Sequence, residues 1–364
     1  MNTMSCESFL IIDTSYPINN RNEKLIVSIK KFFPNANIRV VTWDKRNICK
    51  DKIEHYTLYK KPCRPGNKIK KFTYLFDFKR FVNKAVKDFS PQVIIASHWD
   101  SLYCVPSELT IKPLVIYDNI DIPDGPYPVR MIELLMEKRS LKKADLIIHA
   151  SRFFKELYNG VDTEQFILEN KPVFPIKKRQ SVNKVFTISF IGTLRYFETL
   201  TSLVDAIKNQ QSVQLNFYGN GPDEGNLKNY CKGIENVSFY GRYNYKDIIP
   251  FYDGSDLIWA AYPSKDFNVK YAISNKYYES MFLSVPAVFA KETLLGEYVD
   301  SHKIGFTVNP YSSDDISSLL DKVMHNPDII EAVRDKMYQE AIKETTWDED
   351  FCAISDRIKE FRHE

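Results

Sequence analysis

At 364 residues the chain exceeds the size at which one hydrophobic core keeps growing, so two domains are expected. Its 44% hydrophobic and 27% charged residues are ordinary for a globular protein, which should fold and be soluble. The net charge of +3 hides an asymmetry: residues 1–180 carry 31 Lys and Arg against 20 Asp and Glu, while residues 181–364 carry 19 against 27.

The N-terminal stretch "MNTMSCESFLIIDTSYP" has neither the basic start nor the long apolar run of a signal peptide, and no stretch approaches about 18 uninterrupted apolar residues. A cytoplasmic location is expected. "SFLIIDT" and "IRVVTW" read as short buried strands. Between them "NEKLIVSIKKFF" has helical spacing at Leu25, Ile29 and Phe32, which makes a βαβ opening. "QVIIASH", "LVIYDN" and "ADLIIHAS" continue the strand series, with helices expected over 73–88 and 128–143, so a parallel sheet covered by helices follows.

Residues 160–185, rich in Pro, Lys and polar side chains, read as an interdomain connection. A second series begins there. "VFTISFIGTL", "VQLNFYG", "VSFYG", "DLIWAAY" and "PAVFA" are strand candidates, separated by helix candidates "TLTSLVDAIKN", "DEGNLKNYCK" and "YKDIIPFYDGS". The tail from Ser313 onward is mostly helical with a break at Asn326-Pro327. The expected architecture is α/β, with two doubly wound domains facing each other across a cleft.

The cysteines Cys6, Cys49, Cys63, Cys104, Cys231 and Cys352 are scattered without a C-x-x-C pair, which argues against a zinc knuckle or a disulfide framework. They are expected to be reduced and structural. In open α/β sheets, ligands bind beyond the carboxyl ends of strands, where glycines and helix N-termini bring backbone N–H groups to an anion. Three loops of the second half have this character. "FIGTLRY" places Gly192 and Thr193 at a strand end with Arg195 close behind, and "FYGNGPDEG" places Gly219 and Gly221 before a helix opening at Pro222. "SNKYYESMFLSVPAV" sets Glu279 in an otherwise buried helical stretch, just after Ser274, Asn275 and Lys276. Neither Walker A nor G-x-G-x-x-G is present, so the P-loop and dinucleotide readings lose their main support.

The run through "FIGTLRY", "YGNGP", "VSFYGRYNYKDIIPFYDGSDLIWAAYP" and "SNKYYESMFLSVPAVFAKETLLGEYVDSHKIGFTV" resembles the nucleotide-binding domain of the GT-B glycosyltransferases of family 4, a retaining group that includes many capsule and polysaccharide enzymes. The match covers most of residues 185–310. "SYPINNRNEKLIVSIKKFFPNANIRVVTWDKR", "IIASHWDSLY", "VIYDNID" and "KKADLIIHASRFFKEL" match the first domain more loosely.

The resemblance implies a GT-B fold of two Rossmann-like domains: an acceptor domain over 1–175 joined by a returning C-terminal helix at 346–364, and a donor domain over 183–340. It implies a hexosyltransferase-type enzyme that moves a sugar from a nucleotide diphosphate sugar, UDP-linked by preference, to a carbohydrate or lipid-linked glycan acceptor in bacterial surface polysaccharide synthesis. Glu279 falls where the family's carboxylate holds the ribose hydroxyls, and charge-assisted hydrogen bonds from a diol suit a carboxylate. Arg195 and Lys276 stand where the phosphate-binding cations lie, with Ser274 and Asn275 as further donors to the diphosphate. Tyr271, eight residues before Glu279, replaces the first glutamate of the family's E-x7-E, which leaves the donor sugar and the stereochemistry open. Ser284 stands where glycine is common.

A leaving diphosphate needs its growing charge stabilised, and an acceptor hydroxyl needs somewhere to send its proton. Arg195, Lys276 and backbone amides serve the first need, and no cofactor or metal is expected. The one D-x-D triplet, Asp348 to Asp350, belongs to the helical tail. His98, Asp118 and Asp121 end strands of the first domain and are the acceptor-side candidates, with Arg21 in the loop after the first strand facing acceptor or phosphate. In the basic stretch 60–87, Lys and Arg interleave with Phe72, Phe76, Phe78 and Phe81. It reads as an anionic-membrane contact at the inner face, or as an ordinary surface helix with its aromatics inward. A nucleic-acid partner is not expected, since no recognition motif accompanies the charge. Two other functions stay open, a GT-B sugar-nucleotide epimerase and a noncatalytic nucleotide-sugar-binding or scaffold protein.

Overall fold

The computed structural model describes residues 7–63, 68–109, 112–179 and 183–361. It divides into two compact units, one of Met1–Asn170 with Trp347–Glu364 and one of Lys171–Thr346.

The first unit runs β1 (Ser8–Asp13), α1 (Asn20–Phe32), β2 (Asn37–Asp44), β3 (Tyr56–Lys60), α2 (Lys68–Phe89), β4 (Val93–Ser97), α3 (Trp99–Cys104), β5 (Leu114–Asn119), α4 (Val129–Ser140), β6 (Leu146–His149), α5 (Phe154–Leu157) and β7 (Glu164–Ile167). The strands form one parallel sheet in the order β3-β2-β1-β4-β5-β6-β7. Phe9 to Ile12 and Ile94 to Ala96 are buried on both faces, as a helix-covered parallel sheet requires. The order reverses between β1 and β4, so the loops after these two strands part and leave a recess.

In the second unit the elements are β8 (Phe186–Ile191), α6 (Phe197–Ile207), β9 (Val213–Tyr218), α7 (Glu224–Tyr230), β10 (Val237–Gly241), α8 (Ile249–Asp253), β11 (Leu257–Ala260), α9 (Phe267–Tyr271), α10 (Asn275–Leu283), β12 (Ala287–Ala290), α11 (Leu294–His302), β13 (Phe306–Val308), α12 (Ser313–His325) and α13 (Pro327–Ala341). Its sheet, β10-β9-β8-β11-β12-β13, is also parallel and reverses between β8 and β11.

The last helix, α14 (Trp347–Phe361), returns to the first unit. Trp347, Phe351, Ile354 and Ile358 recur at helical spacing and enter the core with Leu25, Ile29 and Phe33. The Trp347 indole N–H donates to Ser28 Oγ at 2.8 Å.

Strands expected from the sequence are all present, but β3, β7 and β13 are additional. They close sheet edges, where β3 and β7 are half-exposed and lack the continuous apolar run that marks a central strand. Part of the segment read as an interdomain connection is therefore the strand β7. Stretch 60–87 holds α2, whose aromatics turn inward: Phe78 stacks on Trp43 with centroids 5.8 Å apart, Phe81 meets Tyr59 at 5.3 Å, and Phe76 is the exposed one of the four phenylalanines. Residues 64–67 of that stretch lie outside the described residues. Cys49, Cys63, Cys104, Cys231 and Cys352 are free thiols, and Cys6 lies outside the described residues.

α10 is the element that sets the candidate site, and its two ends are made differently. Ser274 caps its N-terminus, accepting the Lys276 N–H. At the other end Ser284 holds φ at 50°, in the left-handed region, while the Val285 N–H closes back on the Ser280 carbonyl at 3.0 Å. That backbone suits glycine, and the buried Ser284 hydroxyl has no hydrogen-bond partner. Ser284→Gly is expected to stabilise the protein by about 1 kcal/mol, read as a higher urea midpoint with an unchanged denaturant slope.

Candidate functional site

In the second unit the loops leaving β8 and β9 are pressed together. The Gly192 N–H donates to the Tyr218 carbonyl at 2.8 Å, and the Leu194 N–H to Asn220 at 3.0 Å. Gly219 has φ +131°, and a Cβ there would stand 1.8 Å from the Gly192 carbonyl oxygen. A Cβ on Gly221 would stand 2.2 Å from the Leu194 carbonyl oxygen. The glycines are thus required by the close approach of two loops.

Lys276 lies beside this seam. Its Cε is 3.9 Å from where a Gly192 Cβ would be, and its Nζ donates to Glu279 Oε2 at 3.0 Å. The same oxygen accepts the Tyr252 hydroxyl at 2.6 Å from α8. Glu279 is only 1% exposed and Lys276 8%, so this is a buried ion pair one helical turn long. Burial on its own would lower the Lys276 pKa, but the Glu279 charge, with Tyr262 and Tyr243, lifts it above the ordinary lysine range. Burial and the Glu279 charge push the Tyr252 and Tyr245 hydroxyls well up, so both stay protonated. The other carboxylate oxygen, Glu279 Oε1, is buried without a hydrogen-bond partner. Buried orphan acceptors are uncommon and costly.

The remaining donor-side residues spread around this centre. Ser274 and Asn275 begin α10, Asn275 exposed, while Thr193 and Arg195 are exposed in the loop after β8. The Arg195 guanidinium lies over the Tyr196 ring at 4.6 Å. Tyr271 is the last residue of α9 and packs on Phe267 at 5.3 Å. Sequence reasoning missed Tyr252 and the tyrosines 243, 245 and 262 that surround Lys276 and Glu279. The run "YNYKDIIPFYDGS" contained the signal as an excess of tyrosine near a predicted helix.

The first unit holds a separate cavity of about 320 Å³ at the β1/β4 reversal. His98 and Asp121 line it together, and His98 takes a positive φ of 68° at the start of α3. Lys45, Lys71 and Asp100 line it as well, and sequence reasoning had not singled them out. Asp100 Oδ2 accepts Thr14 Oγ1 and Lys71 Nζ, each at 3.0 Å, while its Oδ1 is buried and unpartnered. Burial would raise the Asp100 pKa, but Lys71, Lys45 and His98 outweigh it and bring it to about 2.

Arg21 and Asp118, by contrast, face each other. Arg21 Nε lies 3.0 Å from both Asp118 oxygens, Nη2 donates to Oδ1 at 2.7 Å, and Nη1 donates to the Leu168 carbonyl. Arg21 is 3% exposed and Asp118 0%, so the pair ties α1 to β5 and fills the hydrogen-bonding capacity that a substrate would need. Asp348 of the D-x-D triplet is in the first turn of α14, 2.6 Å from Lys31.

Residues 174–344 match the model of the family described as Glycosyl transferases group 1. This stretch is similar to a group 1 glycosyl transferase domain. Its boundaries enclose the Gly192, Gly219 and Glu279 cluster. Among solved structures the chain is similar to a sucrose-phosphate synthase from Thermosynechococcus elongatus (12% identity, TM-score 0.77, covering 98% of this chain and 99% of that one). It is also similar to HepE from Anabaena in complex with UDP (15%, 0.71, 97% and 100%) and to WaaG, a glycosyltransferase involved in lipopolysaccharide biosynthesis (12%, 0.68, 96% and 99%). At these identities the likeness establishes the fold, two Rossmann-like units of GT-B type. A comparison with curated protein sequences finds no match. The match to the group 1 family model supports glycosyltransferase activity. No described helix is long and apolar enough to cross a membrane.

The depressed Asp100 pKa has a consequence for stability. Its ionised form is favoured by folding, so its contribution is complete above about pH 4, where the unfolded acid is ionised, and is lost as pH falls towards about 2. Urea unfolding of the native protein from pH 5 to 2 is expected to show a fall that Asp100→Asn flattens.

Proposed function

We propose that the protein transfers a sugar from a nucleoside diphosphate sugar, UDP-linked by preference, to a carbohydrate hydroxyl, with retention at the anomeric carbon. The observation that carries this reading is Glu279 Oε1, a buried carboxylate oxygen with no partner, set beside a buried lysine and two glycine-walled loops within the glycosyl transferase domain. A ribose diol supplies the O–H donors that this oxygen lacks. Lys276, once released from Glu279, reaches the diphosphate, whose negative charge replaces that of the carboxylate. Backbone N–H groups at the start of α10 and Arg195 add positive potential to the same anion. HepE of the comparison was solved with UDP, which supports the preference for uridine.

In the transfer, the bond between the anomeric carbon and the phosphate oxygen breaks and the acceptor oxygen forms the new bond on the same face. The acceptor proton passes to the departing diphosphate, whose charge Lys276 offsets. No general base in the protein is then required.

The first-unit cavity is assigned to the acceptor. Its volume lies at the lower end of the usual range for ligand pockets, about 300–1,000 Å³. Carboxylates (Asp100, Asp121, Asp124, Glu133) alternate there with Lys45, Lys71 and His98, and Trp99 and Phe72 offer apolar faces. Such a lining suits a ligand rich in hydroxyls better than a polyanion, and Asp100 Oδ1 accepts one of them. A glycan acceptor, lipid-linked and belonging to a bacterial surface polysaccharide such as a capsule, is the class this reading favours. WaaG, named for lipopolysaccharide biosynthesis, supports that setting.

Calorimetry with UDP tests the donor assignment. Glu279→Gln is expected to weaken UDP binding by about 1.5–3 kcal/mol, the cost of losing charged acceptors to the ribose, while thermal unfolding confirms that the variant is folded. Unchanged affinity in the variant would show that the ribose binds elsewhere, and no affinity of the native protein for any nucleoside diphosphate would favour a scaffold role.

A further inference from the structure

Helix α4 is built inside out. Its inward positions are acidic: Glu133 lines the first-unit cavity, and Glu137 accepts the Tyr117 and Tyr158 hydroxyls at 2.5 and 2.6 Å in the interior. Its outward positions are apolar. Met131, Ile132 and Leu135 are 45%, 49% and 53% exposed, and Tyr127 is exposed just ahead of the helix. At 100° per residue these three fall within one face about 100° wide, and Lys138 and Arg139 continue the same face into the last turn.

The hydrogen bonds to Glu137 fix the helix rotation, so the apolar stripe cannot turn inward without breaking two buried hydrogen bonds. Lys142 follows one turn on. Lys138, Arg139 and Lys142 are exposed and have no ion-pair partner among the described residues. Lys143 is anchored instead, donating to the Tyr103 and Val105 carbonyls at 2.9 and 2.8 Å, which secures this end of α4 against α3.

We propose that the outer stripe of α4 is a docking surface for an anionic membrane. Apolar side chains followed by unpaired cations at one end match acyl chains beneath negative headgroups. The first unit carries a small positive balance, 30 Lys and Arg against 26 Asp and Glu over residues 1–170 and 347–364, which favours such a surface. The nearby acids Asp121 and Asp124 line the cavity. A second copy of the chain fits less well, because a few side chains fall short of the roughly 800 Å² per partner of a stable dimer, and three like charges would face their own kind. The surface differs from the basic stretch 60–87, whose aromatics face the core, and it does not rest on the reading of the donor site.

The test is cosedimentation of the full-length protein with vesicles of phosphatidylcholine alone or mixed with phosphatidylglycerol, with no sugar nucleotide present. Binding is expected to the mixed vesicles and to weaken with salt. Ile132→Asp with Leu135→Asp should lower the partition at least about tenfold. Lys138→Gln, Arg139→Gln and Lys142→Gln together should lower it about fivefold for each charge removed. Thermal unfolding shows that both variants are folded. The proposal is overturned by absence of binding to mixed vesicles, by binding that survives both variants, or by lipid-free self-association that the aspartate variant abolishes.

Discussion

The contact on which the functional account depends is the buried pair of Lys276 and Glu279, held at 3.0 Å and braced by the Tyr252 hydroxyl. Stability alone gives little reason for such a pair, since desolvating both charges offsets much of their attraction and a well-packed apolar pair serves as well. What the arrangement does provide is a cation and an anion stored in balance. Each has a partner in the ligand-free protein, and in the function proposed above each exchanges that partner for one half of a nucleoside diphosphate. The unpartnered Oε1 keeps the exchange incomplete in the absence of ligand.

The fold around the pair can be understood from the same economy of backbone groups. A parallel sheet directs all its carboxyl ends to one edge, and reversal of strand order parts two loops there. In the second unit the glycines let the β8 and β9 loops touch and leave room for Lys276 beside them. In the first unit the reversal leaves a cavity where Asp100 stands against Lys71 and Lys45. Each unit therefore holds opposite charges near its reversal point.

Much of this was legible in the sequence, for identifiable reasons. Central strands such as Phe9 to Ile12 are buried on both faces and announce themselves as apolar runs. The edge strands β3 and β7 are half-exposed, so "YTLYK" and "EQFI" carry no such mark. Glu279 stood out because one acid in a helix buried all round needs a reason. Arg21 and Asp118 misled because a charge at a strand end looks alike whether it meets a ligand or another charge. They lie 97 residues apart in the chain, and only the folded arrangement shows that they neutralise each other. The role of Asp100 was hidden likewise, since its lysines come from the end of β2 and from α2, and no local motif joins them. The apolar outer face of α4 escaped notice because periodicity reports that a helix has an apolar stripe without saying which way it points.

The central claim is tested most directly by a crystal structure with UDP bound. The account predicts the ribose hydroxyls on the Glu279 carboxylate and the Lys276 ammonium moved from that carboxylate to a phosphate oxygen. A nucleotide bound elsewhere, with the Lys276–Glu279 contact unchanged at 3.0 Å, would contradict it.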